Sequence, residues 1–192
     1  MKAKIALLSL ALLFTLAAGC APAPAAPTPA PTATPKQTTP SEASPDVVTT
    51  ASIVDTAAAF QKAISSTGTW IICTTKDLTI DKDLVLDGEF KNGKKDSAGK
   101  DVIQRKIALY AQDENKKVTA RYTLTAPKLT INSPKARIQS GTFKGDVYVT
   151  AKDFELVDAT VDGNVYFTND DAKATFKMDA TSKVTGKQEV KK

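Results

Sequence analysis

Gly145-Asp146-Val147-Tyr148-Val149-Thr150 returns eighteen residues later as Gly163-Asn164-Val165-Tyr166-Phe167-Thr168. Within each copy, apolar and polar residues alternate, so Val147, Val149, Val165 and Phe167 share one face of a strand, and Tyr148 and Tyr166 share the other. Two further echoes surround this pair. Leu78-Thr79-Ile80 followed by Gly88-Glu89-Phe90-Lys91 resembles Leu129-Thr130-Ile131 followed by Gly141-Thr142-Phe143-Lys144, and Asp158-Ala159-Thr160 returns as Asp179-Ala180-Thr181. Short alternating strands in units of this length can bury their apolar faces only against neighbouring units. The pattern predicts an all-β domain: a small right-handed parallel β-helix, with Phe154, Leu156, Val161, Phe176, Met178 and Val184 also pointing inward. The second copy carries about four extra residues around Asn169, Asp170 and Asp171, because Val149 to Phe154 is five positions and Phe167 to Phe176 is nine.

Ahead of these repeats, Ile53, Ala57, Phe60 and Ile64 fall on one helical face. A helix is expected over residues 53–66, opened by Ser52 and Asp55, ended near Gly68, and covering the N-terminal end of the stack. It is the one helix expected in the domain. Residues 94–124 interrupt the repeats. Their first part reads as polar loop. The rest, with Ile107, Leu109 and Ala111, a charged turn from Asp113 to Lys117, then Val118, Ala120, Tyr122 and Leu124, reads as a β-hairpin.

The chain begins very differently. Lys2 and Lys4 precede an apolar run from Ile5 to Leu13 that continues to Ala18, short of the roughly 20 residues of a spanning helix and laid out as an export signal. Leu16-Ala17-Ala18-Gly19-Cys20 resembles the lipobox of bacterial lipoproteins. That resemblance implies a signal peptide over residues 1–19, cleavage before Cys20 and a lipid on its sulfur. The protein would then be held on the extracellular face of a cell membrane, with the membrane as its first partner. Residues 20–51 hold eight of the ten prolines, a composition that favours extended chain of about 3.1 Å per residue over a packed core. They are expected to form a stalk, leaving residues 52–192 as the one folded domain.

The formal charge of +5 falls to about +3 without Lys2 and Lys4, and no Lys/Arg run with interleaved aromatics marks a nucleic-acid surface. There is no histidine, which removes serine triads of the usual type, Cys-His pairs and His-bearing zinc motifs. No catalytic residue, metal site or cofactor is assigned. Gly88 to Lys95 fits a phosphate-loop spacing, but Lys95 stands where magnesium chemistry needs Ser or Thr, and the segment reads as a corner equivalent to Gly141. Asp81, Asp83 and Asp87 miss the glycine position of a calcium loop. Cys73 reads as a buried small hydrophobe.

The Gly-Asp-Val and Gly-Asn-Val units beside a proline-rich flank resemble the bactofilins, polymer-forming β-helix proteins, and Thr56-Ala-Ala-Ala-Phe-Gln-Lys-Ala-Ile64 is similar to the N-terminal caps of pectate lyase-like proteins. The first resemblance implies a scaffold that self-associates through the end of the solenoid. The second implies a calcium-dependent polysaccharide lyase, for which Lys144, Lys152 and Arg137, with Asp146, Asp162, Asp170 and Asp171, are the available groups. The residues themselves favour a non-catalytic envelope or polysaccharide-binding protein: Tyr148 and Tyr166, about 4.8 Å apart on successive coils, are the candidate carbohydrate-binding pair, extended by Thr150 and Thr168.

Overall fold

The computed structural model describes residues 51–191. Cys20, the expected signal peptide over residues 1–19 and the expected stalk up to residue 50 lie outside the described residues.

The described chain is mostly β-strand, built into two parallel sheets that it visits in alternation. One sheet runs β1 (Ala51–Val54), β2 (Ile71–Thr74), β7 (Arg105–Ala108), β11 (Ala136–Gln139), β13 (Glu155–Val157), β16 (Lys177–Met178). The other is centred on two long strands, β10 (Thr123–Ile131) and β12 (Thr142–Val149). Strand β10 pairs with β3 (Leu78–Thr79) through its first half and with β4 (Leu84–Leu86) through its second. Likewise β12 pairs with β14 (Thr160–Asp162) and then β15 (Val165–Phe167), which continue to β17 (Lys183–Val184) and β18 (Gln188–Val190). Each repeat thus supplies three short segments, and each segment lies in parallel register on its counterpart in the repeat before.

The register explains the core. Ile72, Ile107, Ile138 and Leu156 form one inward column. Leu84, Leu129, Val147 and Val165 form a second, and Leu86, Ile131, Val149 and Phe167 a third. All are essentially buried, and each such side chain stabilises the fold by roughly 1.5–3 kcal/mol. In the final repeat Met178 is 38 % exposed and Phe176 and Val184 are half-buried. They face inward as their spacing predicts, and among the described residues no strand pairs beyond β16, β17 and β18.

Several expectations need correction. Residues 51–54 form an edge strand instead of opening the helix, and Ile53, in an outward position opposite Cys73, is 73 % exposed. The helix α1 is Ala57–Ile64, its N-cap is Thr56, whose side chain accepts from Ala59 N–H, and it ends at Ser65, before Gly68. Phe60, Ala63 and Ile64 are the buried residues of α1. A second helix, α2 (Asp170–Ala174), occupies the predicted insertion; Asn169 Oδ1 caps it by accepting from Ala172 N–H at 2.7 Å. Short Asx-capped helices carry little apolar periodicity, which is why this one reads as a corner in sequence.

The excursion contains two hairpins, not one. Strands β5 (Lys91–Lys95) and β6 (Asp101–Ile103) pair antiparallel, as do β8 (Tyr110–Gln112) and β9 (Val118–Arg121). Strand β7 between them belongs to the parallel stack, so the chain makes a full repeat inside the supposed interruption. Gly88 to Lys95 leads into the first hairpin and is not a counterpart of Gly141. The echo of Leu78-Thr79 in Leu129-Thr130 is also misplaced by register: Leu78 and Thr79 pair with Leu124 and Thr125.

The last corner depends on Asp179. Its carboxylate accepts from Ser182 Oγ at 2.6 Å, Ser182 N–H at 2.8 Å and Asp158 N–H at 3.0 Å. These hydrogen bonds, the Ser182 hydroxyl first, hold its pKa down at about 2. A carboxyl depressed in the folded state contributes stability above its unfolded value near 4, which is lost as pH falls toward 2. Amide-exchange protection at Asp158 and Ser182 is therefore expected to drop between about pH 4 and pH 2, and Asp179→Asn is expected to show the reduced protection already at neutral pH. Unchanged protection in that variant would mean the corner is held by the backbone alone.

Candidate carbohydrate-binding face

Strand register brings Tyr148 and Tyr166 together as direct neighbours. On the outward face they continue a ladder that starts with Val85 and Thr130 and ends with Glu189. Their ring centroids are 5.0 Å apart and the planes are inclined by 46°, so the pair is a tilted step and not a flat platform. Both rings are half-buried.

Two ammonium groups flank them. Lys191 Nζ lies 4.5 Å from the Tyr166 ring centroid and 5.7 Å from that of Tyr148, and it donates to Tyr148 Oη at 3.4 Å. Lys128 Nζ lies 5.8 Å from the Tyr148 ring and 2.6 Å from Asp83 Oδ2. The hydrogen bond to Tyr148 raises the pKa of Lys191 above its ordinary value, and that to Asp83 does the same for Lys128. Both stay charged over the physiological range.

The start of each strand is fixed by the same residues that distinguish the two copies. Asp146 Oδ1 accepts from Asn164 N–H at 3.0 Å and from Asn164 Nδ2 at 2.8 Å, and Asn164 Oδ1 accepts from Lys187 N–H at 2.9 Å. This relay runs two residues from the tyrosines and sets their register. Thr150 Oγ1 donates to Ile131 O at 2.9 Å, and Thr168 Oγ1 to Val149 O at 3.4 Å. Their hydroxyl protons serve the stack, and Thr168 Oγ1 also accepts from Asn169 Nδ2 at 3.3 Å.

The basic groups considered for proton abstraction do not converge. Lys144 faces Asp162 at 4.0 Å, Lys152 pairs with Asp171 at 2.7 Å, and Arg137 donates to Glu155 Oε2 from Nε at 2.9 Å and Nη2 at 2.6 Å. The Asp171 hydrogen bond raises the Lys152 pKa, opposite to what a lysine base requires. Among the described residues no group of three or more His, Cys, Asp or Glu side chains is placed to hold a metal ion. Cys73 sits at a half-buried outward position of β2 rather than in the core, and burial pushes its thiol pKa up, which makes it a poor nucleophile.

Sequence reasoning missed a polar groove of about 240 Å³ beside the first sheet, lined by Val102, Ile103, Lys135, Arg137, Glu155 and Lys177 among others. Its wall is strand β6, in the segment that reads as loop, and the apolar pair Val102-Ile103 is too short and does not alternate, so it reveals no strand. Among the described residues no helix is long and apolar enough to cross a membrane. No protein-family model matches the chain, and no curated protein and no solved structure matches it either.

Proposed function

We propose that this chain is a lipid-anchored envelope protein, attached through Cys20 to the extracellular face of a cell membrane, whose domain is a small right-handed parallel β-helix that binds polysaccharide without catalysis. What supports the helix is the alternation between two parallel sheets with three short segments per repeat. What supports the anchor is the Leu-Ala-Ala-Gly-Cys20 stretch at the end of a short apolar run, since a multiply acylated cysteine holds a protein at a membrane durably.

The observation that carries the binding reading is the tyrosine pair: Tyr148 and Tyr166 in register on an outward sheet face, half-exposed, with Lys191 and Lys128 beside the rings. Aromatic faces stack on the apolar faces of sugar rings, and flanking ammonium groups supply hydrogen-bond donors to hydroxyl or anionic substituents. The lysine-carboxylate pairs on the neighbouring strands leave no free base for an elimination reaction at the positions named above.

The test is co-sedimentation of the full chain, in non-ionic detergent, with peptidoglycan, cellulose, xylan and pectin. Retention by at least one polymer is expected, weakened roughly tenfold by Tyr148→Ala or Tyr166→Ala. Absence of retention by all four, or retention indifferent to both substitutions, sinks the reading.

A further inference from the structure

Charge is distributed very unevenly along the described residues. Residues 51–171 carry 17 Lys and Arg against 17 Asp and Glu, so they are neutral, whereas residues 172–191 carry five Lys against two acids, an excess of +3. Pairing differs in degree, since ten of the 17 earlier cations are also in no ion pair. Seven cations before residue 172 have a carboxylate within 4.0 Å. Among the described residues Lys173, Lys177, Lys183, Lys187 and Lys191 are in none of these pairs.

These five lysines all belong to the last repeat. Strand β16 ends the first sheet, while β17 and β18 end the second. The chain enters at β1, on the opposite edge of the first sheet, five strand spacings or about 24 Å away. Lysines on open edge strands are a common guard against edge-to-edge pairing, and Lys177 and Lys183 are placed for that. Lys187 and Lys191 bracket β18, where Lys187 O accepts from Val165 N–H and Lys191 N–H donates to Phe167 O, both at 2.8 Å, but Lys191 turns its ammonium onto the tyrosine rings and Lys173 lies on α2, so edge protection does not account for all of the excess. Lys191 also joins the rim directly to the tyrosines, and Lys187 begins the strand opposite Tyr166 through its N–H bond to Asn164.

We infer that the polysaccharide taken by the tyrosine face is an acidic one, and that its anionic groups run from the Tyr148–Tyr166 step onto the lysine rim of the final repeat. The inference rests on the reading of that face as a polysaccharide site and names its ligand class. A sugar ring stacked at Tyr166 lies beside Lys191, and the next anionic substituents along the polymer meet lysines that have no intramolecular partner to give up. Unpaired, exposed ammonium groups cost little to desolvate partially, and an excess of them on one repeat attracts a polyanion over the Debye length.

The experiment is affinity electrophoresis of the full chain through gels containing carboxymethyl-cellulose or hydroxyethyl-cellulose, polymers of the same backbone with and without charge, alongside sedimentation with the insoluble polymers. Retardation by carboxymethyl-cellulose only is expected, weaker at 0.15 M than at 0.01 M salt as the Debye length falls from about 30 to about 8 Å. Combined Lys177→Gln, Lys183→Gln and Lys187→Gln should reduce it about tenfold, whereas the same three changes to Arg should preserve it. Equal retardation in both gels, none in either by a chain that still sediments with an insoluble polymer, or indifference to the Gln triple variant overturns the acidic ligand and leaves the tyrosine face standing. Failure to associate with any polymer overturns both.

Discussion

Arg105→Met is expected to destabilise the domain by about 3–5 kcal/mol and to lower Tm by roughly 10–20 °C. Arg105 is an inward residue of β7 and fully buried. Nη2 donates to Ala63 O at 2.7 Å and Ser65 O at 2.9 Å, and Nη1 donates to Asp87 O at 2.9 Å. The guanidinium carbon also lies 3.8 Å from the Phe90 ring centroid. Burial brings its pKa down to about 10, so it remains charged at neutral pH. One side chain therefore satisfies the last carbonyls of α1 and the loop after β4, fastening the covering helix to the stack. Methionine refills the stem volume but donates nothing: Ser65 O keeps the Gly68 N–H at 3.0 Å, whereas Ala63 O and Asp87 O lose their donor, and each buried carbonyl left without one costs about 1–3 kcal/mol. Lysine should rescue little, because a single ammonium cannot reproduce the planar fork. Thermal unfolding followed by circular dichroism checks this, and an unaltered Tm would show that water replaces the guanidinium at no cost.

Gly145→Ala should be nearly as damaging, by about 3 kcal/mol or more. Gly145 has φ of 138°, and a Cβ there would lie 1.9 Å from Ala126 O. The same close approach repeats up the stack, where a Cβ on Gly163 would lie 2.1 Å from Gly145 O and one on Gly186 2.6 Å from Gly163 O. These glycines form a column, Gly145 inside β12, Gly163 between β14 and β15, and Gly186 between β17 and β18, and a methyl group at the bottom of the column must push the repeats apart. Denaturant unfolding is the direct measurement. The contrasting control is Gly93→Ala in the first hairpin, which has positive φ but open space around it and should cost only about 1 kcal/mol. Equal losses at the two sites would locate the effect in backbone conformation and not in stacking.

How far the sequence foretold this arrangement depends on which signal each residue gives. The alternation of Val147 with Val149 and of Val165 with Phe167 reports burial directly, because strand period and core side coincide. Identical spacing in two copies also places Tyr148 against Tyr166. Arg105 breaks the pattern: a charge at an inward position hides the strand it starts, and its partners are carbonyls about 40 residues away that no side-chain pattern records. Ile53 misleads in the opposite sense, since an exposed isoleucine in an edge strand fits a helical spacing by coincidence. The false echo between Leu78 and Leu129 has a similar origin, because β10 holds two apolar-Thr steps, at Leu124-Thr125 and Leu129-Thr130, and three residues cannot say which is the partner. The unpaired lysines of the last repeat are plain in composition once the boundary of that repeat is known.

The in-register spacing of Val147 on Val165 makes the domain adjustable in length. Duplication of residues 145–162 would insert one further rung of about 4.8 Å between existing neighbours, since each rung offers the same apolar columns upward as downward. Neither α1 nor the lysine-bearing strands β16 to β18 would need to change. A gene encoding such a chain can thus lengthen its product in fixed increments, as a ruler is lengthened by whole divisions.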